Sequence, residues 1–137
     1  MINVWISSFP NHNHSDLGHK FPYMAQSPLT GQMIQFKNID DVHEHFIDVY
    51  DYSIKKSVKK LGESIYLQGS FFYDLMLFVD QKIQDRIKEF TFCKSFNCPP
   101  FPSLNETPEN IVDEFMTIES EFNSISEHKQ RKSNGNK

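Results

Sequence analysis

Glycine is scarce, with five in 137 residues. No G-x-x-x-x-G-K-[ST] or G-x-G-x-x-G run occurs, so no glycine-rich loop is present to cradle phosphates or a dinucleotide. G-x-S-x-G and H-E-x-x-H are also missing, which removes the local signatures of serine hydrolases and zinc peptidases. Cysteine is limited to Cys93 and Cys98. Their C-x4-C spacing differs from the C-x2-C of a zinc knuckle, and in a cytoplasmic chain both are expected as reduced thiols. No hydrophobic run approaches the ~20 residues that cross a bilayer. The densest, from Phe71 to Val79, is broken by Asp74. The opening MINVWISSFPNHNH lacks both the basic start and the apolar core of a secretory signal. A cytoplasmic protein with no membrane partner is expected.

Phenylalanine is what the chain has in quantity. Thirteen Phe raise the aromatic fraction to 14%, while hydrophobic residues in total reach only 38%. A core must therefore be packed largely by aromatic rings. The length fits a single domain, expected over 1–128, followed by a polar basic tail over 129–137.

The net charge of −4 argues against broad nucleic-acid binding, which needs a basic surface. Its distribution is uneven. Residues 1–52 carry −4, 53–94 carry +3, 95–128 carry −7, and 129–137 carry +4. Such blocks suit segments that attract one another within a monomer, self-association, or docking to a partner.

The patterning predicts an α+β chain: a small antiparallel β-hairpin or sheet at the N-terminus, then three amphipathic helices. Ile2, Val4 and Ile6 alternate, which reads as a strand over Met1–Ser8. Phe21–Gln26 and Gln32–Lys37 read as a hairpin around the Pro28–Gly31 turn. Helix one is expected from Asn38–Asp41, with Asp41 and Glu44 as a capping box. Its apolar face is Val42, Phe46, Tyr50, Ile54, Val58 and Leu61, and Gly62 is its stop. Ser64–Gln68 reads as a short strand or linker. Helix two is expected over 71–92, capped by Ser70. Three prolines keep Cys93–Asn105 irregular. Helix three starts at Thr107-Pro108, with Thr as N-cap, and runs to about Glu127.

Three groups of residues could carry function. The first is a seam on helix three, Ile111, Phe115, Ile118 and Phe122, with Glu114 and Glu121 expected as outer acids. That arrangement suits docking into a partner's groove or dimerisation. The plainer reading packs the seam on helix two. The second is the basic patch Lys55, Lys56, Lys59 and Lys60, which suits phosphates or an acidic partner. Its plainer reading is a solvated helix end, because four lysines without interleaved aromatics are few for nucleic acid.

The third is a possible zinc set. His12-x-His14 on an extended segment would point both imidazoles one way, and Cys93 and Cys98 could add thiolates. The plainer reading is a solvated loop and two small apolar thiols. His43 and His45, on a helix, diverge by about 200° and cannot share a metal. No carboxylate pair stands out as a general acid and base.

The expected function is therefore non-enzymatic. It is a small protein-interaction module that binds another protein, or a second copy of itself, as an accessory, assembly or inhibitor protein of the kind phages and mobile elements encode. No cofactor is expected. A zinc-binding module or metal-dependent enzyme is the alternative, and a nucleic-acid binder using Lys55–Lys60 with the basic tail is a second.

Overall fold

A computed structural model describes residues 1–10 and 15–136. Among these residues the chain forms five α-helices and one two-stranded antiparallel sheet, an α+β arrangement that is mostly helical. No helix among them is long and apolar enough to cross a membrane. The chain divides into two compact units. One holds Met1, Asn3–Ser8 and Val79–Lys137; the other holds Ile2 and Phe9–Phe78.

The larger group of strands and helices lies in the Phe9–Phe78 unit. β1 (Tyr23–Gln26) pairs with β2 (Met33–Phe36), Tyr23 against Phe36 and Gln26 against Met33. The predicted hairpin is present. Its loop is closed by Ser27 N–H to Gln32 O and Gly31 N–H to Ser27 O, both 2.8 Å, with Gly31 at φ +73° where a side chain would be strained. Alternation places Ala25 and Phe36 inward, and leaves Met24 and Met33 exposed. Those inward residues join Val42, Val49, Phe72 and Tyr73 in one core. Rings do the packing: Phe36 stacks on Tyr23 and Phe72, and Phe46 meets Phe72 at 4.7 Å.

α2 (Ile39–Lys55) begins with Asn38 accepting the Asp41 N–H, while Asp41 reaches back to the Lys37 N–H. The capping pair is thus Asn38 and Asp41, three residues before the predicted Asp41 and Glu44. α2 ends earlier than Gly62 requires. Ser57 is left-handed at φ +53°, and Ser57 and Val58 donate back to Ile54 and Ser53 in a Schellman closure. α3 (Leu61–Gly69) follows and packs on α2. The short strand or linker expected at Ser64–Gln68 is therefore helix, and Gly62 lies inside it. A 3₁₀ turn, Leu75–Phe78, ends the unit.

The other unit opens with α1 (Ile2–Ser8), where the sequence predicts a strand. Asn3, Val4, Trp5 and Ile6 are all buried in succession, so three alternating positions did not report a two-sided strand. Ser7 and Ser8 hydroxyls bond the carbonyls four residues back, as helical serines do.

The helix predicted over 71–92 is broken. Asp74 accepts the Met76 N–H, and Asp80 accepts those of Lys82 and Ile83. Each aspartate offers the backbone a local start, so α4 is Gln81–Ser95. α5 (Glu109–Gly135) runs 27 residues, through most of the predicted tail. Thr107 does not cap it; its hydroxyl donates to Ser103 O, and Pro108 occupies the cap position. Lys129, Arg131 and Lys132 lie in its exposed final turns, where cations favour the helix dipole.

Candidate functional site

The helix-three seam lies on α5 and is largely interior. Ile111, Ile118 and Ile125 are buried, and Phe115 and Phe122 meet Phe90 of α4 at 5.3 and 6.0 Å. Glu121 corrects the sequence reading. Expected as an outer acid, it is buried and accepts the Trp5 Nε1–H at 2.6 Å. His128, two turns on, sets its ring edge-on to Trp5 at 5.6 Å. Glu114 remains partly exposed and pairs with Arg86 Nε at 2.6 Å.

Two of the predicted residues border open space. Glu114 and Ile118 line a cleft of about 570 Å³ together with Met1 and Val4 of the N-terminal segment and Ile83 and Arg86 of α4. Lys82, Asp113 and Thr117 complete it. Its size falls in the range of small-ligand and side-chain pockets. Apolar groups come from all three segments, cations from α4 and acids from α5. Arg86 is held by both Glu114 and Glu89, each at 2.6 Å, which fixes the guanidinium through charge-assisted bonds. Met1, Val4, Ile83 and Arg86 are not among the residues that the sequence pattern marks as a site. Asp80 before an apolar period was the available signal for a helix start at Gln81, and with it the face bearing Ile83 and Arg86.

The four patch lysines do not form one helical stripe. Lys55 ends α2, Lys56 is its C-cap, and Lys59 and Lys60 belong to the link into α3. Lys56 lies 5.6 Å over the Tyr52 ring. The apolar face predicted for this helix also divides. Val42 is buried and Phe46 packs against the core, whereas Tyr50 and Ile54 face solvent beside Ile47.

Cys93 and Cys98 are free and adjacent at the end of α4. Asn97 at φ +51° lets the Cys98 N–H reach Cys93 O at 3.0 Å, which brings the two side chains together. Burial, then the neighbouring Cys98 thiol, pushes the Cys93 thiol above its ordinary range. His12 and His14 lie outside the described residues. Among the described residues, no three His, Cys, Asp or Glu side chains gather as metal ligands.

His19 and Asp74 form a pair that sequence reasoning missed, because 55 residues separate them. His19 Nε2 lies 2.5 Å from Asp74 Oδ2, in a hollow with Ser15 and Asp16. A buried carboxylate holding an imidazole is the pairing used in general-base catalysis. Here the Asp74 carboxylate also accepts the Met76 N–H, and the Asp74 N–H donates to Leu17 O at 2.8 Å. Gly18, at φ +91°, lies flat on the Tyr73 ring, where a Cβ would stand 2.4 Å from a ring carbon. The pair thus clamps the Leu17–His19 loop to the turn that precedes the 3₁₀ segment.

Compared with known proteins, the chain matches no family model, no curated protein and no solved structure.

Proposed function

We propose that this is a protein-interaction protein that acts by occupying a partner's surface, and that the cleft of α1, α4 and α5 takes an apolar side chain of that partner. The cleft carries the reading. Its lining combines Met1, Val4, Ile83 and Ile118 with cations on α4 and acids on α5. Apolar anchoring in a pocket bordered by charge is how protein interfaces concentrate their binding energy. The Arg86 charge is neutralised by Glu89 and Glu114, which leaves shape and apolar contact to select the occupant.

The test is crosslinking of the full chain in cells, with identification of what it captures, compared with Ile83→Glu. Ile83 is 44% exposed, so the substitution leaves folding intact, which circular dichroism verifies. The partner captured by the wild type should be lost, because a charge buried at an anchor position costs more than about 2 kcal/mol of binding. Undiminished capture of every partner by the folded variant would reject the cleft as the interface.

A further inference from the structure

α2 has a second face that its own unit does not cover. Ile47, Tyr50 and Ile54 are 58%, 42% and 52% exposed. At about 100° per residue they fall within roughly 60° of one another, a continuous apolar stripe along the helix. Burial at Val42, Val49 and Ser53 on another side shows that this stripe is not the one that builds the core.

The charge around the stripe is polar along the helix axis. Asp40, Asp41, Glu44, Asp48 and Asp51 occupy the first three-quarters of α2, and Lys55, Lys56, Lys59 and Lys60 follow. Glu44 and Lys55 lie on one flank of the stripe, about 20° apart around the axis. Among the described residues neither has an ion-pair partner in its own chain.

We propose that α2 pairs antiparallel with α2 of a second copy of this chain. A two-fold axis between Tyr50 and Asp51 sets Ile47 of one copy against Ile54 of the other. Tyr50 packs near its own symmetry mate at the centre. The same rotation keeps each flank on its own side and reverses its direction, so Glu44 of one copy meets Lys55 of the other, twice. An isologous contact is self-complementary by construction, and a helix with acids at one end and lysines at the other meets that demand only when antiparallel. An anionic membrane would repel Asp40, Glu44 and Asp51 beside the stripe. A purely acidic helix would leave those carboxylates facing like charge. A second copy satisfies both ends. The residues are independent of the cleft, so this inference stands apart from the preceding proposal.

Sedimentation of the full chain across concentration and salt tests it. The wild type should dimerise, and the dimer should weaken from about 50 mM to about 500 mM salt as screening grows. Ile47→Asp should abolish it. Glu44→Lys and Lys55→Glu should each weaken it by about tenfold or more, since each creates two like-charge contacts. The double variant E44K/K55E should regain wild-type association, and an equimolar mixture of the two single variants should form heterodimers. Asp51→Asn should tighten the dimer by removing like charges at the axis, and Ile83→Glu should leave it unchanged. These positions are exposed, and circular dichroism verifies folding of each variant. A wild type that stays monomeric to about 100 μM, far weaker than specific complexes in the micromolar to nanomolar range, would overturn the proposal. So would a dimer indifferent to Ile47→Asp and to the charge exchange.

Discussion

The Trp5 indole N–H donates to a Glu121 carboxylate oxygen at 2.6 Å, across 116 residues of sequence. Trp5 is fully buried and Glu121 is 8% exposed. Glu121→Gln keeps an acceptor oxygen for the indole and should cost little. Glu121→Ala leaves a buried donor without it and should cost about 1–3 kcal/mol. Glu121→Lys should be worse than either, because a cation replaces the acceptor inside the unit. Urea unfolding followed by the fluorescence of Trp5, the chain's one tryptophan, measures all three. Equal stability of Ala and Gln variants would show that the bond contributes nothing net.

His45 makes stability depend on pH. Its ring lies edge-on to Phe72 at 4.7 Å and Phe36 at 5.7 Å, and its Nε2 lies 3.1 Å from Ser27 Oγ. Burial holds its proton affinity below the ordinary value of 6.5, and Asp48 only partly opposes this. The folded state therefore binds the proton less readily than the unfolded chain. The stabilisation is complete above pH 6.5 and is lost as pH falls below that value. Thermal unfolding from about pH 7.5 to about pH 5 should show this loss, and His45→Phe should flatten it. An unchanged slope in that variant would assign the dependence to another group.

Phe46 and Gly69 show what the sequence disclosed and what it hid. The hairpin was legible because turn residues and alternation agree over a short range. α2 was legible from its period, but its buried face was not. Val42, Phe46, Tyr50 and Ile54 fit one stripe by spacing alone, yet the helix buries Val42, Val49 and Ser53, with Phe46 packed at the edge of the core. Ser53 is small and polar, so no hydrophobic pattern could mark it. It is matched with Ser64 of α3 at 3.0 Å, a pairing visible only in space. The end of α2 was hidden because a serine, not a glycine, adopts the left-handed turn. The cleft was hidden because α1 and α4 meet α5 over long sequence separations. The apolar seam of α5 is legible from its period, whereas the burial of Glu121 is not, because only the tertiary fold brings an indole to it.

Gly69 should not tolerate a methyl group. A Cβ there would stand 2.7 Å from the Phe46 ring and 3.1 Å from Leu75 Cδ2. Phe46 is packed against Phe72 and Phe78 at 4.7 and 4.9 Å and has little room to retreat. Alanine gains about 1 kcal/mol of helix propensity, and overpacking costs about 1–3. Gly69→Ala should therefore give a net destabilisation of up to about 2 kcal/mol in a chemical melt. Gly135, also helical, has nothing within 4 Å of such a Cβ, so Gly135→Ala should be neutral or slightly stabilising. The same sign for both would show that Phe46 yields.

Cys93 should be a slow nucleophile while the protein is folded. The thiolate attacks iodoacetamide and displaces iodide, and a thiol whose proton affinity is raised holds less thiolate at a given pH. Burial is the first cause of the rise and the Cys98 thiol the second. Alkylation near pH 8, resolved by peptide mass spectrometry, should proceed several-fold faster at Cys93 in urea than in the folded chain. Cys98→Ser removes the second cause and leaves the first, so it should speed the folded reaction without reaching the urea rate. If Cys98→Ser alone brings Cys93 to the unfolded rate, the neighbouring thiol outweighs burial. If it changes nothing, the contact made at the end of α4 has no influence on the sulfur it touches.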